Sequence, residues 1–178
     1  MSRWISAALI GLAVSACGGD TDQSDGASAS ASARTEPNTS PVTIDACTLL
    51  TSEDIQTAAG WTPDTARAET HGGTATCTYS RAQGRNVQTV VLVVGPSTAN
   101  FASSTAMAQR RTEQAQRHPE LGITVTPVEG LGGPAVSSQS EGSPPTLEVA
   151  AKGRLVSLTS SDPEASKALV TKAIERLR

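Results

Sequence analysis

From Thr51 to Leu177 the spacing of hydrophobic positions changes several times, and each change marks an element. Thr51-Ser52-Glu53-Asp54 reads as a helix start, with Thr51 placed to cap and Asp54 as its acidic partner three residues on. Ile55, Ala58 and Ala59 give that helix a short apolar face, and Gly60 ends it. Residues 62–74 are rich in Pro, Gly and Thr and read as a loop. Ala75–Arg81 reads as a strand with Cys77 and Tyr79 on one face. After a turn at Gly84-Arg85-Asn86 comes Val87–Val94, the strongest strand. Its unbroken run from Val90 to Val94 is the pattern of a central strand covered on both faces. Gly95-Pro96 closes it.

Ser97–Arg117 reads as a helix capped by Ser97 or Thr98, with an Ala-rich apolar face and Pro119 beyond its end. Ile123 and Val125 alternate with Thr124 and Thr126, the mark of a half-buried strand. Residues 146–159 read as a hairpin: Leu147 and Val149 on the way out, a turn at Lys152-Gly153, and Leu155–Thr159 on the return. Asp162 caps the last helix and Pro163 takes its first position. Leu169, Val170, Ala173, Ile174 and Leu177 form a single stripe along it. The order helix, two strands, helix, strand, hairpin, helix predicts an α+β fold, an antiparallel β-sheet with helices packed on it. No repeat of fixed period runs through the chain.

Upstream of this patterned part the chain has a different character. Met1-Ser2-Arg3 is a short positive stretch, and Trp4 to Val14 is an apolar run too short to span a bilayer. It ends in Leu12-Ala13-Val14-Ser15-Ala16-Cys17, which resembles a bacterial lipobox. That resemblance implies a lipoprotein signal peptide over residues 1–16, cleavage before Cys17 and diacylglyceryl transfer to the Cys17 thiol. Acyl chains gain about 0.8 kcal/mol per buried CH₂, so they would hold the chain to a membrane without a transmembrane helix. Residues 17–42, with Gly18-Gly19 and Ala-Ser-Ala-Ser-Ala-Ser-Ala, have no apolar periodicity and read as a flexible tether. The folded domain is expected over residues 43–178, in the cell envelope and on the extracytoplasmic side.

Composition sharpens this picture in two ways. Aromatic residues make up 2 % of the chain, and Trp4 lies in the segment expected to be removed. The core must therefore be built from Val, Leu, Ile and Ala, which bury less area each, so a covalent staple would be of use. With Cys17 lipidated, Cys47 and Cys77 remain, and a pair of exported thiols is expected to oxidise. Closing a loop of about thirty residues stabilises by roughly 3.5 kcal/mol in the chain-entropy description. The competing reading is a metal-binding or catalytic thiol, although no Cys-x-x-Cys is present and neither Cys has a His nearby in sequence. Charge matters chiefly for what it excludes. Residues 43–178 carry 12 Lys and Arg against 13 Asp and Glu, without a dense basic stripe, which argues against a nucleic-acid partner.

Asp45-Ala46-Cys47-Thr48-Leu49-Leu50-Thr51-Ser52-Glu53-Asp54, then Ala58-Ala59-Gly60, and later Cys77-Thr78-Tyr79 carry a family resemblance. They resemble a family of small, mainly actinobacterial lipoproteins with a domain of unknown function. Its members open on Asp-Pro-Cys-x-Leu-Leu, follow with a short helix and a second Cys near an aromatic, and carry Gly-Leu-Gly before a final hairpin and helix. Gly130-Leu131-Gly132 stands in that last place here, and Ala46 replaces the usual Pro. The resemblance covers residues 43–178. It implies a disulfide between Cys47 and Cys77 and no particular activity.

The remaining candidates for chemistry have plainer readings. His71 falls in a loop and His118 at a helix C-terminus, where its side chain complements the dipole; neither has partners at metal-ligand spacing. Gly130-Leu131-Gly132-Gly133-Pro134-Ala135 fits G-x-G-x-x-A, but no helix opens after it to receive a phosphate. There is no G-x-S-x-G elbow. Asp45, Glu53 and Asp54 cluster at a helix start, where the dipole favours carboxylates. Arg110, Arg111 and Arg117 read as a small solvated basic face. No catalytic residue, metal or cofactor site is assigned. The expected role is a non-enzymatic, lipid-anchored module that contacts an envelope protein, a polymer or a small ligand. The alternative is a binding protein for a small apolar ligand held between the sheet and the Ala-rich helix.

Overall fold

The computed structural model describes residues 44–97 and 99–178. The expected signal segment 1–16, Cys17 and the tether 17–42 lie outside the described residues. The elements are α1 (Ser52–Ala59), β1 (Thr65–His71), β2 (Thr74–Gln83), β3 (Asn86–Pro96), α2 (Ser104–Ala115), β4 (Thr124–Val128), β5 (Ala135–Gln139), β6 (Thr146–Ala151), β7 (Arg154–Thr159) and α3 (Pro163–Arg176). Short 3₁₀ turns occupy Ala46–Thr48 and Pro119–Leu121. The fold is α+β, as the hydrophobic pattern predicts. All seven strands form one antiparallel sheet in the order β1-β2-β3-β7-β6-β5-β4. It consists of two meanders, β1-β2-β3 and β4-β5-β6-β7, joined where β7 pairs with β3.

Local signals explain most boundaries. Thr51 and Asp54 form both halves of a capping box, and Gly60 ends α1 with φ 76°, a conformation that an L side chain disfavours. Asp162 accepts from the backbone of Glu164 and Ala165, and Pro163 opens α3. The β6–β7 hairpin turns on Lys152 and Gly153, both with positive φ (51° and 71°), as the strands' twist requires. Lys152 reaches from that turn to donate from Nζ to the Leu177 carbonyl at 2.6 Å.

Alternation along the strands sorts the sheet into two unlike faces. Ala75, Cys77 and Tyr79 on β2, Val90, Leu92 and Val94 on β3, Val156 and Leu158 on β7, and Leu147 and Val149 on β6 are all buried on one face. Against them pack Leu49 and Leu50, Ile55 of α1, Trp61, and Leu169, Val170 and Ala173 of α3, with Leu177 just beyond it. Ala135 joins this core, whereas its neighbour Val136 belongs to a second, smaller cluster with Met107 and Ala108 of α2. Successive strand residues point to opposite faces, so α2 lies across the sheet from α1 and α3.

Four expectations are corrected. Thr65–His71, within the stretch expected to be a loop, is a seven-residue strand; all seven residues are exposed, so it carries no large apolar side chain and its alternation is only of Ala66, Ala68 and Thr70 with Arg67, Glu69 and His71. Ala135–Gln139, assigned to no element from the sequence, is strand β5. Its two apolar positions are adjacent and buried on opposite faces, which leaves no alternation to detect. The helix expected over Ser97–Arg117 is shorter, Ser104–Ala115, and Ser103 is its cap. It starts there because Ser104 is buried, its hydroxyl donating to the Val128 carbonyl at 2.8 Å and accepting from the Ala135 amide at 3.1 Å. Lastly, β3 is central but covered fully on one face only, with Val91 and Val93 half-buried.

Candidate interaction surface

The face away from α1 and α3 carries two rows of short side chains. Thr76 of β2, Val93 of β3 and Ser157 of β7 stand side by side, and Thr78, Val91, Thr159 and Thr146 form the next row. All are half-exposed. Thr146 and Thr159 share a hydrogen bond at 2.8 Å, which fixes their rotamers on the surface. The result is a floor of methyl and hydroxyl groups. On the other face the same strands are closed by a filled core.

At one side of this floor α2 packs on β4 and β5. Arg111 leans inward from α2 to Glu148 of β6, 37 residues away. Its Nη2 donates to Oε1 at 2.8 Å, and its Nε lies 2.7 Å from Oε2 as a charge contact without hydrogen-bond alignment. Nη1 donates to Gln114 at 2.9 Å. Glu148 also accepts from Ser157 at 3.5 Å, the limit of such a contact. The Glu148 side chain is 15 % exposed, so the pair ties α2 to the sheet from a largely desolvated position. Below it opens a cleft of about 310 Å³ lined by Arg111, Gln114, His118, Val125, Ser138 and Glu148, among others. The cleft is open to solvent and mixed in character. The space directly between α2 and the sheet is filled by Met107, Ala108 and Val136.

The expected basic face is thereby redistributed. Arg111 is an internal tie, Arg110 lies 6.0 Å from the centre of the Phe101 ring, and Arg117 is exposed. The sequence contains no signal for the Arg111–Glu148 contact, because nothing local to either residue announces a partner so far away. His71 ends β1 in solvent, and His118 contacts Glu120 at 3.3 Å on the surface. The Gly-rich segment 130–133 is a bend between β4 and β5. Within it Gly133 is required, since a Cβ there would collide with the Ala150 carbonyl of β6.

The other candidates lie on the opposite side of the sheet. Cys47 and Cys77 are joined, with 5.0 Å between their Cα atoms, so the 3₁₀ turn at Ala46–Thr48 is pinned to β2. Tyr79, two residues on, donates to the carbonyls of Leu50 at 3.0 Å and Cys47 at 3.2 Å. Burial pushes its hydroxyl pKa up to about 12, reinforced by the negative charge of Asp45. Asp54 accepts from Arg176 through both carboxylate oxygens, and that bond holds its pKa well below the ordinary 3.8. Asp45 accepts from the Cys47 amide at 2.9 Å. These carboxylates serve helix ends and one inter-helix tie. Among the described residues no three His, Cys, Asp or Glu side chains are grouped to hold a metal, and no helix is long and apolar enough to cross a membrane.

No curated protein matches the chain, and neither does any solved structure. A family model, described as Protein of unknown function (DUF3558), matches residues 12–171, a span that takes in Cys17, Cys47 and Cys77. The chain belongs to that family of proteins of unknown function.

Proposed function

We propose that the chain is an envelope lipoprotein, anchored through Cys17, whose domain acts as a non-enzymatic interaction module. One observation carries the second half of this reading: α1 and α3 close one face of the sheet, while on the other α2 packs on β4 and β5 and leaves the Thr/Ser/Val rows beside it half-exposed. A surface of β-branched and small hydroxyl groups has little side-chain entropy to lose on contact, which suits it to meeting another surface. The anchor is supported by the sequence that ends in Cys17, and export by the Cys47–Cys77 bond, since disulfides persist in oxidising compartments.

Two measurements test it. The native chain is expected to partition into the detergent phase and the Cys17→Ala variant into the aqueous phase; a variant that stays with detergent rules out the anchor. A photo-crosslinking side chain at Thr78, Val91 or Thr159 is expected to give a defined adduct in intact cells. The same probe at Lys172, on the outer side of α3, is expected to give none, and equal labelling at both places would count against the open face.

A small-ligand reading draws on the 310 Å³ cleft beside α2. Its Arg, Gln, His, Ser and Glu lining favours a ligand rich in hydrogen-bonding groups over the apolar one that the Ala-rich helix suggests.

A further inference from the structure

The two edges of the sheet are unlike. At one, β4 is five residues long, contains Pro127 and is packed against α2. A proline and a covering helix are common means of blocking strand addition. At the other, β1 is seven residues long, contains no proline, and is exposed at every position. Among the described residues it pairs with β2 alone, so its other row of backbone N–H and C=O groups has no strand partner there.

The sequence of that strand, Thr65-Ala66-Arg67-Ala68-Glu69-Thr70-His71, is complementary to itself. Cross-strand partners in antiparallel pairing lie directly opposite. With a two-fold axis through Ala68, Arg67 faces Glu69 of the other copy and Glu69 faces its Arg67. Ala66 faces Thr70, and Ala68 faces itself. An axis through Arg67 would oppose two guanidinium groups, and one through Glu69 two carboxylates. Both charges already sit on one side of the strand, where Arg67 Nε and Glu69 Oε1 are 3.1 Å apart and the side chains are 78 % and 60 % exposed. Ala66, Ala68 and Thr70 are on the side of Tyr79, Cys77 and Ala75, so the core faces of the two copies coincide.

We infer that β1 is a self-association edge: two copies of this chain pair β1 to β1, antiparallel about Ala68, so that one sheet runs through both. The open Thr/Ser/Val faces then lie on the same side and form one doubled surface. This inference is separate from the proposed anchor, because it depends only on the edge strand.

The full chain, purified in detergent with solvent density matched to the micelle, is expected to show a concentration-dependent monomer–dimer equilibrium in analytical ultracentrifugation. Like charges directly opposite destabilise strand pairing, so Arg67→Glu is expected to weaken the dimer roughly tenfold, and Glu69→Arg similarly. The double exchange Arg67→Glu with Glu69→Arg restores the complement and should return affinity to near the native value. Register is tested by cysteine. Opposed residues at the axis have Cα atoms about 5 Å apart, within disulfide reach, so Ala68→Cys should crosslink rapidly through residue 68 of both copies. Two copies of residue 66 would be about 14 Å apart, so Ala66→Cys should not. A chain that stays monomeric at every concentration overturns the inference. So does a dimer indifferent to either single charge reversal, or one that crosslinks at 66 as fast as at 68.

Discussion

Arg176, in the last turn of α3, grips both carboxylate oxygens of Asp54 in the first turn of α1, 122 residues earlier in the chain. The Nη2 to Oδ1 bond is 3.1 Å, and Nη1 also donates to the Leu49 carbonyl at 2.9 Å. The side chain of Asp54 is 13 % exposed and that of Arg176 38 %. The contact joins the first and last helices of the domain.

Asp54→Asn breaks this grip and half of the capping box. It is expected to cost about 1–3 kcal/mol at pH 7, toward the lower end because Arg176 is partly solvated. The pH dependence has a definite sign. Asp54 has a folded pKa below its ordinary 3.8, so the stability it contributes is complete above that value and is lost as pH falls through it toward the folded pKa. Urea unfolding at pH 7, 4 and 2.5 should show the gap between native protein and Asp54→Asn shrinking at the acid end. A gap that stays constant would refute the assignment.

Tyr79 is the only tyrosine in the chain, so absorbance at 295 nm titrates it alone. With its pKa near 12, ionisation is expected about two units above the ordinary 10. The sign here is the reverse of that for Asp54. The folded state holds the proton more tightly, so stability is full below pH 10 and falls as pH rises toward 12, by on the order of 2 kcal/mol. Tyr79→Phe should lose that slope and about 1–2 kcal/mol at neutral pH, because the carbonyls of Leu50 and Cys47 lose their donor. A phenol that titrates near 10 in folded protein would mean it is not buried.

The Cys47–Cys77 bond closes a loop with a sequence separation of 30. Its removal by Cys77→Ser with Cys47→Ser is expected to cost about 3.5 kcal/mol, which corresponds to roughly 10–15 °C in Tm. Calorimetry of the native chain with and without reductant should give the same displacement. A change of less than about 3 °C would show that the turn at Ala46–Thr48 is held by packing rather than by the bond.

Removing Arg111 leaves a largely buried Glu148 without its cation. Arg111→Leu is therefore expected to destabilise by about 1–3 kcal/mol, whereas Arg111→Leu with Glu148→Leu recovers most of that loss. Hydrogen exchange locates the effect: amides of α2 should exchange faster in the single variant while those of α3 hold. Equal loosening of both helices would show that the pair does not act locally.

The fold was legible where one face of an element meets solvent and the other meets the core. Thr51 with Asp54, Asp162 with Pro163, and the alternation of Ala75, Cys77 and Tyr79 each announce their structure locally. Legibility failed at the extremes of burial. β1 has no buried position, so its alternation is of small with charged residues and lacks large apolar side chains, and β5 has adjacent buried positions on both faces and so no alternation. The sequence alone does not locate the start of α2, because Ser97 and Ser103 are equally good caps; Ser104, bonded to Val128 and Ala135, decides between them. The surface was less legible than the fold. The floor at Thr76, Thr78, Val91 and Thr159 exists only once β7 is set beside β3, and Arg111 meets Glu148 only across the sheet.

The place of β7 also governs when the molecule can close. It is the last strand made, yet it is the one that welds the two meanders together, and the helix after it carries Arg176. A chain emerging N-terminus first, from a ribosome or through a narrow channel, can form β1-β2-β3 early, but that half-sheet has no partner for β3 and no α3 over its apolar face. Closure waits for the final helix. The architecture thus leaves the apolar face of the sheet without its cover until α3 is available, so the core cannot be complete before that helix is.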